Sequence, residues 1–169
     1  MLFRSIRAES AGLGQGATFT VDFPVLAVRV SSGLGREAQD SAPRGEVLRG
    51  LRVLIVDDQP DARELLALVL ERRGANVRMA TSAGEALDVV GESDIDVLVS
   101  DISMPGRDGY DLVREVRRLR GDSIRAVALT AYTGHEVRER ALAAGFDVHA
   151  TKPLDPDHLI NALERLGRG

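Results

Sequence analysis

The chain has 169 residues, 44% of them hydrophobic and 28% charged, which is enough for one domain with a packed core and an additional segment. Aromatic residues make up only 4% and the net charge is −4, so no surface for nucleic acid is expected. The sequence contains no cysteine and no apolar run of membrane-spanning length, which argues against disulfides, thiolate metal sites and membrane contact. The N-terminus lacks the apolar segment of a secretory signal, so a cytoplasmic location is expected.

Residues 1–30 are predicted to form a β-hairpin. Two stretches, 6–10 and 17–23, alternate loosely between apolar and polar residues, and Gly-Leu-Gly-Gln-Gly (12–16) lies between them. A phosphate-binding glycine loop is the alternative, but no helix follows these glycines and no lysine is placed to assist. Because a lone hairpin is only marginally stable in water, the segment is interpreted as part of something larger.

Residues 31–50 are predicted to be a flexible linker, because they are rich in glycine, serine and charge and show no sustained period. The main domain is expected to occupy residues 51–169. We therefore expect residues 1–50 to be dispensable for the stability of that domain.

From residue 51 onward, short apolar runs alternate with amphipathic segments. Runs typical of buried strands occur at 52–56, 76–80, 97–99, 126–129 and 148–151. The helical stripes between and after them contain Ala62, Leu65, Leu66, Val69 and Leu70, then Ala86, Leu87 and Val90, then Leu112, Val113, Val116 and Leu119, then Val137, Ala141 and Ala144, and finally Leu159, Leu163 and Leu166. Five strand–helix units predict an α/β fold with a doubly wound parallel sheet, for which we choose the flavodoxin-like order 2-1-3-4-5.

Several of the predicted helices begin with capping residues. Ser82 and Thr133 each precede a glutamate by three residues, which is the spacing of a capping box. Asp155 is a predicted N-cap, with Pro156 at the first helical position. These signals support the starts of the second, fourth and fifth helices.

Polar residues follow four of the five predicted strands. Asp57 and Asp58 come after the first strand, Asp101 ends the third, Thr130 follows the fourth and Lys152 follows the fifth. Each residue alone has an ordinary explanation as a helix cap, a strand end or a solvated charge. Because open α/β sheets bind ligands beyond the carboxyl ends of their strands, however, all five side chains are expected to meet at one edge.

The chemistry of this cluster predicts a metal-dependent phosphoryl site. Three neighbouring carboxylates repel one another unless a cation lies among them, and oxygen ligands suit a hard divalent ion, which we assign as Mg²⁺. Asp101 stands alone at its strand end and is the candidate nucleophile, which would form an aspartyl-phosphate, while Asp57 and Asp58 remain for the metal. Lys152 would pair with one phosphoryl oxygen, and the Thr130 hydroxyl would donate to another.

Four motifs resemble those of the receiver domains of two-component response regulators. They are Val-Leu-Ile-Val-Asp-Asp (53–58), Asp-Ile-Ser-Met-Pro-Gly-Arg-Asp-Gly (101–109), Leu-Thr-Ala (129–131) and Thr-Lys-Pro (151–153). The resemblance spans residues 51–166. It implies that a histidine kinase or a histidine phosphotransfer protein is the partner, and that the domain catalyses its own phosphorylation and dephosphorylation.

The same resemblance implies a role for each matching residue. Asp101 would accept phosphate from a phosphohistidine. Asp57, Asp58 and Asp101 would bind Mg²⁺ together with the backbone carbonyl of Ser103. Thr130 and Lys152 would contact the phosphoryl group, and Thr130 would move on activation.

Two further features of the fifth strand follow from the resemblance. The family usually has a cis peptide bond before the proline that corresponds to Pro153. Three residues before Lys152 it commonly has Tyr or Phe, which swings inward as Thr130 moves, whereas this sequence has His149. Imidazole could still change rotamer in this way, but unlike these aromatic side chains it titrates near neutral pH.

Residues 7–24 resemble the closing hairpin of the ATP-binding domain of sensor histidine kinases. The pattern is Gly-x-Gly-(Thr/Ala)-x-Phe followed by a strand that ends in Pro. The matching residues are Gly14, Gly16, Ala17, Phe19 and Pro24. The catalytic residues and the phosphorylatable histidine of that family would lie upstream, so kinase activity is not carried over.

Three functions from different classes remain. The first is the C-terminal receiver module of a hybrid sensor kinase, which passes phosphate to a histidine phosphotransfer protein in a phosphorelay. The second is a stand-alone single-domain response regulator that acts by phosphorylation-controlled protein binding. The third, a phosphohydrolase, needs an aspartate two residues after the nucleophile, where this sequence has Ser103.

Overall fold

The computed structural model describes residues 5–9, 12, 18–22, 45–132 and 134–167. The chain divides into two compact units, Met1–Asp40 and Ser41–Gly169. In the first unit, β1 (Ser5–Glu9) and β2 (Thr18–Asp22) pair antiparallel, as expected for the predicted hairpin. The glycine-rich connection, apart from Gly12, lies outside the described residues.

The resemblance of this hairpin to a kinase ATP-binding domain stays a prediction. Phe19 lies in β2. Gly14, Gly16, Ala17 and Pro24 lie outside the described residues.

In the described part of the second unit, strands and helices alternate as the sequence predicts. The strands are β3 (Arg52–Val56), β4 (Asn76–Ala80), β5 (Val97–Asp101), β6 (Arg125–Thr130) and β7 (Val148–Thr151). The α-helices are α1 (Pro60–Glu71), α2 (Ala83–Glu92), α3 (Gly109–Arg120), α4 (His135–Ala144) and α5 (Pro156–Gly167). The five strands are parallel in the order β4-β3-β5-β6-β7, which confirms the flavodoxin-like order 2-1-3-4-5.

Helices cover both faces of the sheet. Alternate side chains of each strand point to opposite faces, so each face contributes to its own core layer. Leu54 and Leu98 pack on the side of α2, α3 and α4. Ile55 and Val99 pack on the side of α1 and α5. All five residues of the central strand β5 are buried, as expected of a strand with helices on both sides.

Two apolar residues assigned to buried helix stripes are exposed. Leu65 on α1 is 63% exposed, and Leu119 in the last turn of α3 is also exposed. The buried residues of α1 are Ala67 and Leu70. Because successive residues turn by about 100° around a helix, Leu65 points away from the face that these two residues share.

The helix starts agree in part with the predicted caps. The Ser82 hydroxyl accepts a hydrogen bond from the Glu85 N–H, as predicted, but the Glu85 carboxylate bonds to Thr81 instead of returning to Ser82. Asp155 precedes α5 and accepts a hydrogen bond from the Asp157 N–H. Helix α4 follows Gly134 without a side-chain cap, and the predicted cap Thr133 lies outside the described residues.

The end of the predicted linker is folded as part of the second unit. Residues 47–50 form a turn in which Leu48 is only 1% exposed. The Leu48 N–H donates to the Arg73 carbonyl at 2.9 Å, and the side chain joins the core layer that contains Val53 and Leu70. The apolar core therefore begins before residue 51, whereas flexibility of residues 31–44 stays a prediction. Among the described residues, no helix is long and apolar enough to cross a membrane.

Candidate functional site

The strand ends at one edge of the sheet bring the predicted site residues together. Asp57 and Asp58 follow β3, and Asp101 ends β5, the neighbouring parallel strand. Thr130 ends β6 on the other side of β5, opposite Thr151 of β7. The parallel register thus places these side chains at the switch point between the first and third strands of the sheet.

Three carboxylates form the centre of the site. Asp57, Asp58 and Asp101 each offer an oxygen such that these oxygens lie within 4.8 Å of one another. Asp57 and Asp101 are 2% and 4% exposed, whereas Asp58 is exposed to solvent. Carboxylates packed this closely form a site that could bind a metal ion, with one face open to solvent.

Lys152 is the cation that contacts this cluster. Its Nζ lies 2.9 Å from Asp57 Oδ2 and 2.8 Å from Asp101 Oδ2. Burial acts to lower the pKa of Lys152, but the hydrogen bonds and charges of Asp101 and Asp57 outweigh it and raise the pKa above its ordinary value. Lys152 therefore stays charged at neutral pH. The following Lys152–Pro153 peptide bond is cis, as the resemblance implies.

Each buried carboxylate is held at both oxygens. Asp57 Oδ1 accepts a hydrogen bond from the Gln59 N–H at 2.9 Å, and Asp101 Oδ1 accepts one from the Ser103 N–H at 3.1 Å. The second oxygen of each faces Lys152. Backbone and lysine contacts thus fix the two carboxylates before any ligand arrives. Ser103 itself is exposed, two residues beyond Asp101.

The close approach of α3 to the end of β5 depends on Gly109, whose role was not predicted from the sequence. Its N–H donates to the Ile102 carbonyl at 3.0 Å. A Cβ at this position would lie 2.4 Å from the Asp101 carbonyl oxygen, so any side chain would push α3 or the strand end away. The sequence signal for this contact is the Asp-Gly pair at the start of the helix that follows Asp101.

Thr130 and His149 lie on β6 and β7. Thr130 is fully buried, and its hydroxyl accepts a hydrogen bond from the Tyr132 N–H at 3.1 Å. His149 lies opposite Ala128, whose side chain faces the layer of α2, α3 and α4. Among the described residues, His149 Nε2 is the buried side-chain polar atom without a hydrogen-bond partner. Burial, followed by the nearby charge of Arg138, lowers the pKa of His149.

Arg63 is a second residue whose role was not predicted from the sequence. Its Nη1 donates to the backbone carbonyl of Asp57 at 2.7 Å. Arg63 lies on α1, five residues after Asp58, so the first turns of the helix carry it back over the connection from β3. The signal for it in the sequence is a basic residue shortly after the acidic pair.

Comparison with known proteins agrees with this geometry. Residues 53–164 match the response regulator receiver domain family. An uncharacterized 14.6 kDa protein of Leptolyngbya boryana is 43% identical over 121 residues, which cover 71% of this chain and 92% of that protein. The sensor histidine kinase RcsC of Salmonella typhi is 34% identical over 148 residues, which cover 84% of this chain. That alignment covers only 16% of the kinase, so this chain spans a small part of it.

The fold is also found among solved structures. The receiver domain of the Francisella response regulator 1452 matches with a TM-score of 0.67 at 28% identity, covering 70% of this chain and 98% of that domain. The sheet order and the acidic cluster at the switch point agree with the family match. The chain therefore belongs to the response regulator receiver domain family.

Proposed function

We propose that this chain acts in a two-component phosphorelay, in which Asp101 accepts a phosphoryl group from a phosphohistidine. The observation that carries the proposal is the position of the Asp101 carboxylate. It ends the central strand, with Lys152 Nζ 2.8 Å from one oxygen and two further carboxylates beside it. Asp57 and Asp101 both contact Lys152, but Asp57 and Asp58 lie beyond the end of β3. Asp101 is the member of the cluster that ends a strand, and the neighbouring strand β6 ends in Thr130.

The residues of the site would divide the reaction between them. A carboxylate oxygen of Asp101 would attack phosphorus, and the phosphorus–nitrogen bond of the donor would break, which leaves an aspartyl-phosphate. Lys152, already beside Asp101, would pair with a phosphoryl oxygen of the product. The Thr130 hydroxyl would donate to another phosphoryl oxygen. His149 would respond to the movement of Thr130 in the place of the aromatic residue common in the family.

Mg²⁺ is the cofactor that we propose for this site. The donor set fits a hard cation, because it consists of the oxygens of Asp57, Asp58 and Asp101, to which we add the Ser103 backbone carbonyl. When bound, Mg²⁺ offsets the negative charge of the phosphoryl group. The chain's own contribution is to hold two of the carboxylates rigidly through Gln59, Ser103 and Lys152.

The test is phosphorylation followed by intact mass measurement. The chain is incubated with Mg²⁺ and either acetyl phosphate or a phosphorylated histidine donor. Wild type should gain one phosphoryl group, and Asp101→Asn should gain none, because it keeps the shape of the side chain but removes the nucleophile. Asp88→Asn, an exposed change on α2, is the matched control and should behave like wild type. Full stoichiometry in Asp101→Asn would overturn the assignment.

The similarity to a sensor kinase supports a hybrid-kinase context. An alignment that covers 84% of this chain is too long to fit within residues 45–169, so it includes part of the N-terminal segment. We propose that the receiver is the C-terminal module of a hybrid sensor kinase in the cytoplasm and passes phosphate to a histidine phosphotransfer protein. Residues 1–30 would then be the end of its ATP-binding domain, and residues 31–44 would belong to the linker. An in-frame histidine-kinase region upstream of the coding sequence would support this context.

A stand-alone regulator is the second candidate. It is favoured by the 14.6 kDa relative, of which this chain matches 92%. Such a protein would act by phosphorylation-controlled binding to a partner. An upstream sequence without any kinase region would favour this alternative.

A further inference from the structure

We infer that Arg63 is a positioning residue that orients the metal-binding connection between β3 and α1. The inference rests on the proposed Mg²⁺ site and concerns the two aspartates of that connection. Arg63 contacts the backbone of Asp57, not a carboxylate, so its action on the site is through main-chain geometry.

The two aspartates differ in how they are held. The Asp57 carboxylate is bound by the Gln59 N–H and by Lys152, and the Asp57 N–H donates to the Ala80 carbonyl at 3.3 Å. The Asp58 carboxylate has no hydrogen bond or ion pair with another residue in the part of the chain that the structure describes, and it is exposed. Asp58 therefore depends on its backbone for its direction toward the metal.

The hydrogen bond from Arg63 acts on that backbone. The Asp57 carbonyl belongs to the peptide group that joins Asp57 to Asp58, and a peptide group is planar. Holding its oxygen with a charged donor at 2.7 Å restrains the plane, and with it the direction of the N–Cα bond from which the Asp58 side chain branches. Outer groups that orient the ligands of a metal site commonly change its affinity for the metal.

Apart from the contacts of Asp57, the connection between β3 and α1 is held at the start of the helix. Gln59, the N-cap of α1, makes no side-chain capping bond. The Arg63 N–H donates to the Gln59 carbonyl at 3.1 Å, which ties Arg63 itself to the start of the helix. Arg63 is thus fixed at its backbone and reaches back over the connection with its side chain.

If Arg63 acted on the site only through its charge, its replacement would change the Mg²⁺ affinity in the opposite direction. A positive group beside a metal site repels a divalent cation, so its removal would strengthen Mg²⁺ binding. Loss of a positioning contact would weaken binding instead. The direction of the change therefore separates the two roles of Arg63.

The experiment is a calorimetric titration of the full chain with Mg²⁺ alone, combined with thermal unfolding in EDTA. Arg63→Met should raise the Mg²⁺ dissociation constant roughly tenfold, as is usual when a group that orients metal ligands is lost. Arg63→Lys keeps the charge and one donor group, so its affinity should lie between those of Arg63→Met and wild type. Arg72→Met, an exposed change at the other end of α1, is the control and should match wild type. In EDTA, Arg63→Met should still unfold cooperatively, at a lower melting temperature than wild type, since a hydrogen bond from a charged group contributes about 1.5 to 3 kcal/mol.

The outcomes are distinct from those that test the proposed function. Mg²⁺ affinity in Arg63→Met that equals or exceeds wild type would overturn the positioning role while leaving the metal site intact. If Arg63→Met does not fold, Arg63→Lys decides: weaker binding supports the role, and wild-type affinity overturns it. Absence of Mg²⁺ binding by wild type would overturn both the proposed metal site and this inference.

Discussion

The amino ends of the five parallel strands, here called the amino edge, and their carboxyl ends, here called the carboxyl edge, carry charged residues that are paired in different ways. At the amino ends of the strands, Arg52 binds Asp96 through its backbone N–H and through its guanidinium. At the same edge, Arg117 donates to the Gly145 carbonyl and to Asp147. Each of these guanidinium groups faces a carboxylate that neutralises it.

At the carboxyl ends the balance is different. Three carboxylates lie together, and Lys152 is the cation that contacts two of them. Asp58 is left without an ionic partner among the described residues. Charges that are paired with one another stabilise the fold. An excess of negative charge, by contrast, indicates a site that can bind a ligand. The comparison predicts that changes at the amino edge reduce stability and that changes at the carboxyl edge reduce function.

The largest expected effect is at the amino edge. Arg117→Met should lower the free energy of unfolding by about 3 kcal/mol, because the Arg117 side chain is only 16% exposed and its loss leaves Asp147 with a weaker partner. Urea unfolding measures this change. Arg114→Met, on the same helix and paired with Asp111 at the surface, is the control and should change the stability by less than about 0.5 kcal/mol. Equal effects of the two variants would contradict a structural role for the paired edge.

At the carboxyl edge, Asp58→Ala should separate function from stability. Mg²⁺-dependent phosphorylation should be lost, because the exposed carboxylate proposed to bind Mg²⁺ is removed. Thermal stability in EDTA should stay the same or rise, because one of three neighbouring negative charges is gone. Asp61→Ala removes an exposed acidic residue of α1 and should keep phosphorylation at matched Mg²⁺. Unchanged phosphorylation in Asp58→Ala would show that the metal assignment is wrong.

The smallest expected effect concerns pH and His149. Because burial and Arg138 lower the pKa of His149 in the folded chain, the unfolded chain binds more protons just below the ordinary value of 6.5. This residue should therefore reduce stability as the pH falls below 6.5, until the pH passes its lowered pKa. His149→Phe should flatten the pH dependence of the melting temperature in that window. His158→Phe, at an exposed site on α5, is the control, and an equal flattening there would argue against the buried imidazole.

The strand order and the place of the site could be predicted from the sequence, because both depend on short local patterns. Apolar runs that end in Asp101 or Thr130 indicate strand ends, and parallel strands bring such ends to one edge. The contacts of Arg63 and Gly109 could not be predicted in this way. The first depends on the rotamer of a long side chain, and the second on how closely a helix approaches a strand.

The start of the folded domain near Leu48 could not be predicted from local sequence patterns either. Composition alone places Leu48 in a polar linker, since Leu34, Val47 and Leu48 among glycine, serine and charged residues give no period. Its burial depends on the core layer that contains Leu70 and Val53, which only the folded chain provides. Leu65 is the reverse case, an apolar residue whose position on α1 turns it toward solvent.

The buried turn at Leu48 and the acidic cluster lie at opposite ends of the strands. The turn attaches to the connection before β4, at the amino ends of the strands, while Asp101 lies at their carboxyl ends. A five-residue strand such as β5 spans roughly 16 Å at the usual rise of a β-strand. The Asp101 carboxylate therefore lies at the opposite ends of the strands from the turn at residues 47–50. Under the proposed function, a phosphohistidine donor would have to reach Asp101 at the carboxyl ends of the strands, away from the turn at Leu48.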